Sequence, residues 1–226
     1  MQKRLSELAE YVKKADNVHV VTHIDADGLT AGAIAVKTLQ RMNKSHTIEF
    51  VKQLDHFVVN RLNKNSPELV WFTDLGSSIV EDKSVTFPYI VTDHHACDPE
   101  TQNVSYHFNP HLFDLDGSWE LSGSGGTYLL STTINKKNQD LASLALIGAC
   151  GDLQDRKHRK LMSKNREILK QGVDAGVLTA KKDIQFFGRE TRPVYKMLQY
   201  ANDPVIPGIT GRESSARNFL DTLDIP

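Results

Sequence analysis

Apolar residues in the first half of the chain occur in short runs that alternate with segments of helical periodicity. Leu5, Leu8, Val12 and Ala15 recur at helical spacing, so an amphipathic helix begins the chain. Five β-rich runs follow, separated in part by helical patterns: VHVVTH, TIEFVKQL, ELVWFTD, FPYIVTDHH and SYHFNP. This alternation predicts an α/β fold, with a mostly parallel five-stranded sheet and helices on both faces.

Helical spacing dominates after about residue 122. Three longer segments there are typical of helices: SGSGGTYLLSTTINKK, DLASLALIGACGD and RKLMSKNREILKQGVDAG. Proline and glycine then separate two further short helices towards the end of the sequence. We therefore expect an α/β domain over residues 1–155, followed by a mainly helical part over residues 156–226.

Composition narrows the class of protein. The hydrophobic fraction of 39% and the charged fraction of 24% are those of a water-soluble globular protein. No apolar run approaches the roughly 20 residues of a membrane span, and the first helix lacks the features of a secretion signal. We therefore expect a cytoplasmic protein that does not bind a membrane. Cys97 and Cys150 are too few for a disulfide framework and lack the spacing of a zinc ribbon.

Three of the predicted strands end alike, because apolar residues lead through a threonine into acids or histidines. These endings are VVTHIDAD, VWFTDLG and YIVTDHH. In an open parallel sheet the carboxyl ends of the strands form one ligand-binding crevice. The endings would gather seven side chains there: His23, Asp25, Asp27, Asp74, Asp93, His94 and His95. A fourth element, the apolar helix LIGACGD, breaks at Gly151 and exposes Asp152.

Several of these residues also have a purely structural explanation when they are taken singly. Asp25 and Asp27 could form an ordinary helix cap and turn, since Asp and Gly are favoured there. The two histidines of TDHH could be a surface pair, and Asp152 could end a helix in a turn. The repetition of the same ending on three strands favours a shared chemical role.

Carboxylates crowded into one crevice repel each other unless cations lie among them. Carboxylates mixed with imidazoles suit Mn²⁺, or Mg²⁺ where oxygen ligands dominate. Two divalent ions about 3.5–4 Å apart, bridged by a carboxylate, would activate a water and stabilise an in-line displacement at phosphorus. The pattern therefore predicts hydrolysis of phosphoesters or phosphoanhydrides with two divalent cations.

Two further segments have features of anion-binding sites. SGSGGT opens a helix, so the Ser124 hydroxyl and the N–H groups around Gly125 and Gly126 are candidate phosphate donors, with a plain loop as the alternative. The stretch over residues 156–170 has seven Lys or Arg against one acid. Its apolar stripe favours a core-facing helix with a solvated charged face. A polyanion that leaves the metal site could instead contact Arg156 and Arg159.

The motifs resemble those of the DHH phosphoesterase superfamily in order and spacing: HIDADG at 23–28, FTDLGSS at 72–78, TDHH at 92–95 and GACGD at 148–152. This superfamily includes RecJ single-strand exonucleases, oligoribonucleases, cyclic-dinucleotide phosphodiesterases and manganese pyrophosphatases. HIDADGLTAG, SGSGGT and DPVIPGITGRESSARNFL resemble the archaeal RecJ-like nucleases in particular. The resemblance covers nearly the whole chain, as the catalytic part of the family.

The resemblance implies a role for each metal ligand. Asp25 would hold one ion, Asp27, His94 and Asp152 would hold the other, and Asp74 would bridge the two.

It also implies roles beside the ions. His95 would face the scissile phosphate, and Asp93 would orient its neighbours. His23 lies two residues before Asp25, whereas pyrophosphatase-like relatives place a histidine four residues before. For His23 the roles of metal ligand and of outer hydrogen-bond donor therefore both stay open.

The implied function is a Mn²⁺-dependent or Mg²⁺-dependent exonuclease that hydrolyses single-stranded DNA or RNA from an end, in DNA repair or replication. One alternative is an enzyme for small substrates: an oligoribonuclease, a cyclic or linear dinucleotide phosphodiesterase, or a pyrophosphatase. Another is a replication scaffold that binds the GINS complex. RecJ-like relatives carry a further C-terminal substrate-binding domain, so residues 156–226 are expected to extend towards a domain that this chain lacks.

Overall fold

Five parallel strands form the sheet of the first 180 residues: β1 (Asn17–His23), β2 (Ser45–Val51), β3 (Leu69–Thr73), β4 (Tyr89–Thr92) and β5 (His107–Phe108). The computed structural model describes residues 1–184 and 186–225 of the chain. The strands lie in the order β2-β1-β3-β4-β5, so the direction of winding reverses between β1 and β3. Open α/β sheets bind their ligands at the carboxyl ends of the strands beside such a reversal.

Eight α-helices occur among the described residues: α1 (Gln2–Lys14), α2 (Ala26–Arg41), α3 (His56–Asn65), α4 (Gly123–Ile134), α5 (Ala142–Gly151), α6 (Ser163–Asp174), α7 (Val194–Gln199) and α8 (Glu213–Asp221). Short 3-10 helices lie between them: Ser77–Ile79, Pro99–Asn103, Pro110–Phe113 and Lys136–Leu141. In the described part of the chain, no helix combines the length and the apolar character that crossing a bilayer requires.

Side chains that alternate along the strands build one hydrophobic core on each face of the sheet. Val20, Trp71 and Ile90 point to the face that packs against α1, α2, α4, α5 and α6. Val21 and Phe72 point to the opposite face, which α3 and the segment Ser77–Ile79 cover. The predicted α/β fold is therefore confirmed. The buried strands read as nearly continuous apolar runs because both of their faces are covered.

The threonines before the acidic residues align across the sheet. Thr22 pairs in register with Thr73, and Thr73 pairs with Thr92. The Thr22 hydroxyl donates to the Gly28 carbonyl at 2.6 Å, and the Thr92 hydroxyl pairs with that of Thr127 at 2.9 Å. Because these three strands end at the same level, the residues that follow them meet at one edge of the sheet.

The chain divides after residue 180, into Met1–Ala180 and Lys181–Pro226, and not near residue 155. The reason is that α6 belongs to the first unit, since Ile168 is fully buried in the same core as α1, α2, α4 and α5. The basic stretch also differs from the single helix expected over residues 156–170. Its first part, residues 156–160, forms exposed turns, and α6 begins only at Ser163.

The second unit has a small core of its own. Met197 and Leu198 of α7 pack with Ala216 and Leu220 of α8. Tyr195 lies beneath the Arg217 guanidinium, 3.4 Å from the ring centroid. The two short helices that were predicted for this region are present, so the mainly helical character of the C-terminal part is confirmed.

Candidate metal centre

The strand ends and the C-terminal end of α5 bring potential metal ligands into three overlapping groups. One of these combines Asp74 and His94 with His95, and the other two contain the six residues to which the strand endings and Gly151 lead. Of these two, the first group contains His23, Asp25 and Asp74, and the second group contains Asp27, His94 and Asp152. Within each group the candidate ligand atoms lie within 4.8 Å of one another. These are the six residues that the sequence predicts as metal ligands, and they converge although up to about 130 residues separate them in the chain.

His23 and two carboxylates form the first group. His23 Nδ1 lies 2.8 Å from Asp25 Oδ2 and 3.7 Å from Asp74 Oδ2. The second oxygen of Asp25 accepts a hydrogen bond from the Gly28 N–H at 2.9 Å, so Asp25 is also the N-cap of α2. Burial acts to raise the pKa of Asp25, but the Gly28 N–H and His23 outweigh it, and the pKa is lowered. The structural and the ligand explanations of Asp25 are therefore compatible.

His94 is the centre of the second group. Its Nε2 atom lies 3.2 Å from Asp152 Oδ2 and 3.7 Å from Asp27 Oδ2. The same nitrogen lies 3.2 Å from Asp74 Oδ1, so Asp74 is next to both groups. A carboxylate in this position can bind two neighbouring ions with one oxygen each.

Asp74 and His94 also carry buried polar atoms that make no hydrogen bonds. Among the described residues, neither carboxylate oxygen of Asp74 nor Nε2 of His94 makes a hydrogen bond, although Asp74 is only 1% exposed. Buried carboxylates are normally hydrogen-bonded or paired with a cation. The atoms without partners are those that a pair of divalent ions would contact, and this mixed oxygen and nitrogen donor set suits Mn²⁺.

The pKa values of Asp27, Asp74 and His94 reflect burial and the crowding of negative charge. Burial raises the pKa of Asp27, and burial together with the neighbouring Asp27 carboxylate raises that of Asp74 well above its usual range. Burial acts to lower the pKa of His94, but the adjacent Asp152 and Asp74 outweigh it and raise the pKa well above normal. The site therefore attracts positive charge, which protons or metal ions can supply.

A carbonyl oxygen fixes the proton of His94 on the ring nitrogen that faces away from the carboxylates. His94 Nδ1 lies 2.7 Å from the Gly117 oxygen, which can only accept, so Nδ1 carries the hydrogen. Gln154 donates to the same oxygen at 2.8 Å and accepts from Asn165 at 2.6 Å. In neutral His94 the Nε2 lone pair consequently faces the carboxylates, as metal binding requires.

The Asp93 carboxylate accepts hydrogen bonds from its own loop and from Ser77. One oxygen accepts from the backbone N–H groups of His94 and His95 and from His95 Nδ1, and the other accepts from the Ser77 N–H. Burial acts to raise the pKa of Asp93, but the His95 hydrogen bond and the neighbouring imidazoles outweigh it and lower the pKa. Asp93 therefore holds the loop and orients His95.

His95 lines a cleft of about 240 Å³ together with His23 and Asp74. Its side chain is more than half exposed, and the hydrogen bond to Asp93 raises its pKa. Lys52 and Gln53 line the same cleft, and sequence reasoning missed both. The available signal was the pairing of β2 with β1, because Val51 lies in register with His23 and the next residues must leave the sheet beside the site.

The glycine-rich start of α4 binds a protein carboxylate, which corrects the predicted phosphate contact. The N–H groups of Gly123 and Ser124 donate to Asp27 at 2.7 and 3.1 Å. The Ser124 hydroxyl donates to the Ala145 carbonyl, and the N–H groups of Gly125 and Gly126 donate to Ser122. All of these residues are buried with their donors engaged. The helix N-terminus does hold an anion, as expected, but the anion is Asp27.

Two glycines allow helix backbones to lie directly against the carboxylates. A Cβ atom on Gly148 of α5 would lie 2.2 Å from Asp27 Oδ1, and one on Gly123 of α4 would lie 2.4 Å from Asp74 Oδ1. Both distances are far below van der Waals contact. Close packing therefore requires glycine at positions 148 and 123.

The two arginines that were predicted to contact substrate lie outside the ligand groups. Arg156 and Arg159 are exposed and belong to the turns that follow Asp152.

Comparison with known families matches two parts of the chain. The DHH family, N-terminal domain, matches residues 17–149, and the DHH-CID domain matches residues 186–226. An uncharacterized protein of Methanocaldococcus jannaschii is 32% identical, in an alignment that covers 92% of this chain and 48% of that protein. The chain thus spans about half the length of this curated relative.

Solved structures with the same fold include RecJ and CDC45. An exonuclease RecJ bound to manganese aligns with a TM-score of 0.59 and 24% identity, over 76% of this chain and 48% of that chain. RecJ of Thermus thermophilus in complex with Mn²⁺ aligns with a TM-score of 0.57 and 23% identity, over 76% and 27%. CDC45 of Entamoeba histolytica aligns with a TM-score of 0.64 and 16% identity, over 97% and 49%.

At these identities the structures establish a shared fold and nothing more. The family match covers more than half of the chain and includes the strand ends that carry Asp25, Asp27, Asp74 and His94. The chain therefore belongs to the DHH family.

Proposed function

We propose that the chain is the catalytic part of a cytoplasmic, metal-dependent phosphodiesterase that hydrolyses single-stranded DNA or RNA from an end. The observation that carries this proposal is the buried Asp74 carboxylate, which lacks hydrogen bonds and lies between two groups of ligands. A phosphodiester hydrolase with two ions needs a bridging carboxylate in this position.

The residues that would hold the ions follow from the two groups. His23 and Asp25 would bind one ion, while Asp27, His94 and Asp152 would bind the other, with Asp74 shared between them. Bound ions of this kind supply a nucleophile at neutral pH and neutralise charge on the phosphate oxygens. We infer that Mn²⁺ is preferred and that Mg²⁺ can replace it, because two imidazoles contribute to the donor set.

The remaining side chains of the cleft would act on the substrate directly. Asp93 accepts the Nδ1 proton of His95 at 2.8 Å, which leaves Nε2 to interact with a phosphate oxygen. Lys52 is the one lysine or arginine among the described residues that line the cleft. A single ammonium group opposite several acids is suited to a phosphate of the substrate beside the scissile one.

Two alternatives keep support from particular observations. Hydrolysis of dinucleotides or pyrophosphate would use the same ligands, and the cleft of about 240 Å³ is large enough for a small phosphate compound. A replication role with a partner such as the GINS complex is the second alternative, and it is compatible with the fold shared with CDC45 over 97% of the chain. Retention of all six candidate ligands favours catalysis in either setting.

Incubation of the purified chain with Mn²⁺ and end-labelled DNA, RNA, dinucleotides or pyrophosphate tests the proposal. Stepwise shortening of the single strands is expected, and Asp74→Asn should abolish it. Asp140→Asn is a matched control, because Asp140 pairs with Arg41 at the end of α2 opposite to the end that Asp25 caps. Cleavage of dinucleotides or pyrophosphate alone would favour the small-substrate enzyme. No turnover of any substrate, together with tight binding of GINS, would favour the scaffold.

A further inference from the structure

An indole and an ammonium group form a contact at the edge of the metal centre that the proposed chemistry does not use. Lys157 Nζ lies 4.8 Å from the centroid of the Trp119 ring. Trp119 is partly exposed, whereas Trp71, the other tryptophan of the chain, lies on strand β3 and is fully buried. Trp119 is therefore the tryptophan whose ring a ligand can reach.

Hydrogen bonds connect the two segments that carry Trp119 and Lys157 to the candidate ligand His94. The Gly117 carbonyl accepts from His94 Nδ1 at 2.7 Å and from Gln154 at 2.8 Å. Trp119 follows Gly117 by two residues, a length of chain that spans at most about 7 Å. Lys157 follows Gln154 by three residues and the ligand Asp152 by five. The Trp119–Lys157 pair thus lies on the two segments that also position the second ligand group.

The charge around the pair suits a polyanion. Lys157 belongs to the exposed run RKHRK at 156–160. The five residues of this run, four of them Lys or Arg, are all exposed. An aromatic ring beside several basic side chains is the combination with which proteins bind single-stranded nucleic acids, since bases stack on the ring and phosphates approach the basic groups.

We propose that Trp119 and Lys157 form a nucleotide subsite beside the metal centre, in which a base stacks on Trp119 and an adjacent phosphate contacts Lys157. This inference rests on the proposed function and narrows its substrate to strands that carry bases. Stacking tolerates every base, so the subsite would bind nucleic acid without reading its sequence. Inorganic pyrophosphate would gain nothing from the indole.

Binding measurements with and without bases separate stacking from charge. We would titrate the chain, with Ca²⁺ in place of Mn²⁺ to slow hydrolysis, with oligothymidylate, with an abasic strand of equal length and with pyrophosphate. Trp119→Ala should weaken oligothymidylate binding about tenfold, in the range found for one stacked base, and leave the abasic strand unaffected. Trp119→Phe should retain most of the affinity.

The cation has its own signature in the same titrations. Lys157→Gln should weaken both strands and reduce the salt dependence of binding by about 0.7 in log–log slope, the value for one contact with a single strand. Lys83→Gln, which changes another exposed lysine, is the matched control and should have no effect.

Intrinsic fluorescence gives a readout that does not depend on activity. Oligothymidylate should quench the wild-type emission through Trp119, and this quenching should disappear in Trp119→Phe, where only the buried Trp71 emits. Equal affinities of wild type and Trp119→Ala for oligothymidylate, or equal losses for both strands, would overturn the subsite. Strand hydrolysis by wild type would still stand in that case, so the two proposals fail separately.

Discussion

Asp74 combines three properties that rarely occur together in one residue. Its φ of 59° is left-handed, its side chain is buried, and both of its oxygens lack hydrogen-bond partners in the described part of the chain. A left-handed backbone and a buried carboxylate without hydrogen bonds both cost free energy, and such features are retained where function requires them. At the scale of single residues the site is destabilised in a way that a bound cation relieves.

Asp74→Asn should therefore weaken metal binding and increase the stability of the metal-free protein. Asn tolerates the left-handed backbone and removes the buried charge, so we expect the metal-free protein to become more stable by about 1–2 kcal/mol. Mn²⁺ should stabilise the wild type by about 2.7 kcal/mol at one hundred times its Kd and the variant hardly at all. Chemical denaturation with EDTA or with Mn²⁺ measures both effects. A variant that is less stable without metal would contradict this account of Asp74.

Gln154 should act on metal binding through His94. Gln154→Leu removes one of the two hydrogen bonds to the Gly117 carbonyl and leaves Asn165 without its acceptor. We expect Mn²⁺ affinity to fall 10–100-fold, as for other outer hydrogen-bond partners of metal ligands. Asn138→Leu is the control, because Asn138 is equally buried but bonds to Ser131 and Arg41. Calorimetric titration that found the same Mn²⁺ affinity in both variants would reduce Gln154 to a structural role.

His107 should make stability depend on pH. Burial lowers its pKa to about 4 from an ordinary 6.5, so folding favours the neutral ring. Neutral His107 therefore contributes about 3 kcal/mol to the free energy of unfolding. This contribution is fully present above pH 6.5 and is lost as the pH falls towards 4. Wild type should therefore lose stability between pH 6.5 and 4.5 more steeply than His107→Gln. The free energy of unfolding is measured by denaturant titration at several pH values. The same dependence on pH in wild type and in His107→Gln would refute this role of His107.

At the scale of elements, the site depends on strands of matched length and on helices that approach closely. The alignment of Thr22, Thr73 and Thr92 brings three loops together. Helices α4 and α5 then enclose the carboxylates, with amide donors from α4 and a glycine surface from α5. The centre is thus a product of packing between elements that are distant in sequence.

Gly148→Ala tests the closeness of this packing. The added methyl group would lie 2.1–2.5 Å from the Ser124 hydroxyl, Asp27 Oδ1 and the Thr30 hydroxyl, so α5 or Asp27 must shift. We expect a loss of about 1–3 kcal/mol in stability, typical of overpacking, together with weaker Mn²⁺ binding. Ser143→Ala in the same helix should change neither quantity. Normal Mn²⁺ affinity in Gly148→Ala would mean that Asp27 is not held by this contact.

Sequence patterns predicted the elements and the residues that converge at the edge of the sheet, because both depend on local periodicity and on residues that directly follow strands. They did not predict the partners of Asp27, since the Gly123 and Ser124 amides come from almost 100 residues further along the chain. For the same glycine-rich segment the sequence left phosphate binding and a plain loop both open, because sequence alone does not reveal which anion reaches a helix N-terminus. Lys52 was missed for a similar reason, since its place depends on the pairing of β2 with β1.

At the scale of the molecule, the first unit contains the complete candidate centre. All six candidate ligands, the cleft and the Trp119–Lys157 pair belong to Met1–Ala180. The second unit has a separate small core and matches the DHH-CID domain. Metal binding and the first steps of catalysis should therefore depend on the first 180 residues.

Anomalous diffraction from crystals grown with Mn²⁺ tests the central claim most directly. We predict two manganese peaks about 3.5–4 Å apart, the spacing of two-metal phosphohydrolase sites. One ion should contact His23, Asp25 and Asp74, and the other should contact Asp27, His94, Asp152 and the second oxygen of Asp74. A single peak, peaks away from Asp74, or no bound manganese at millimolar concentration would contradict the account.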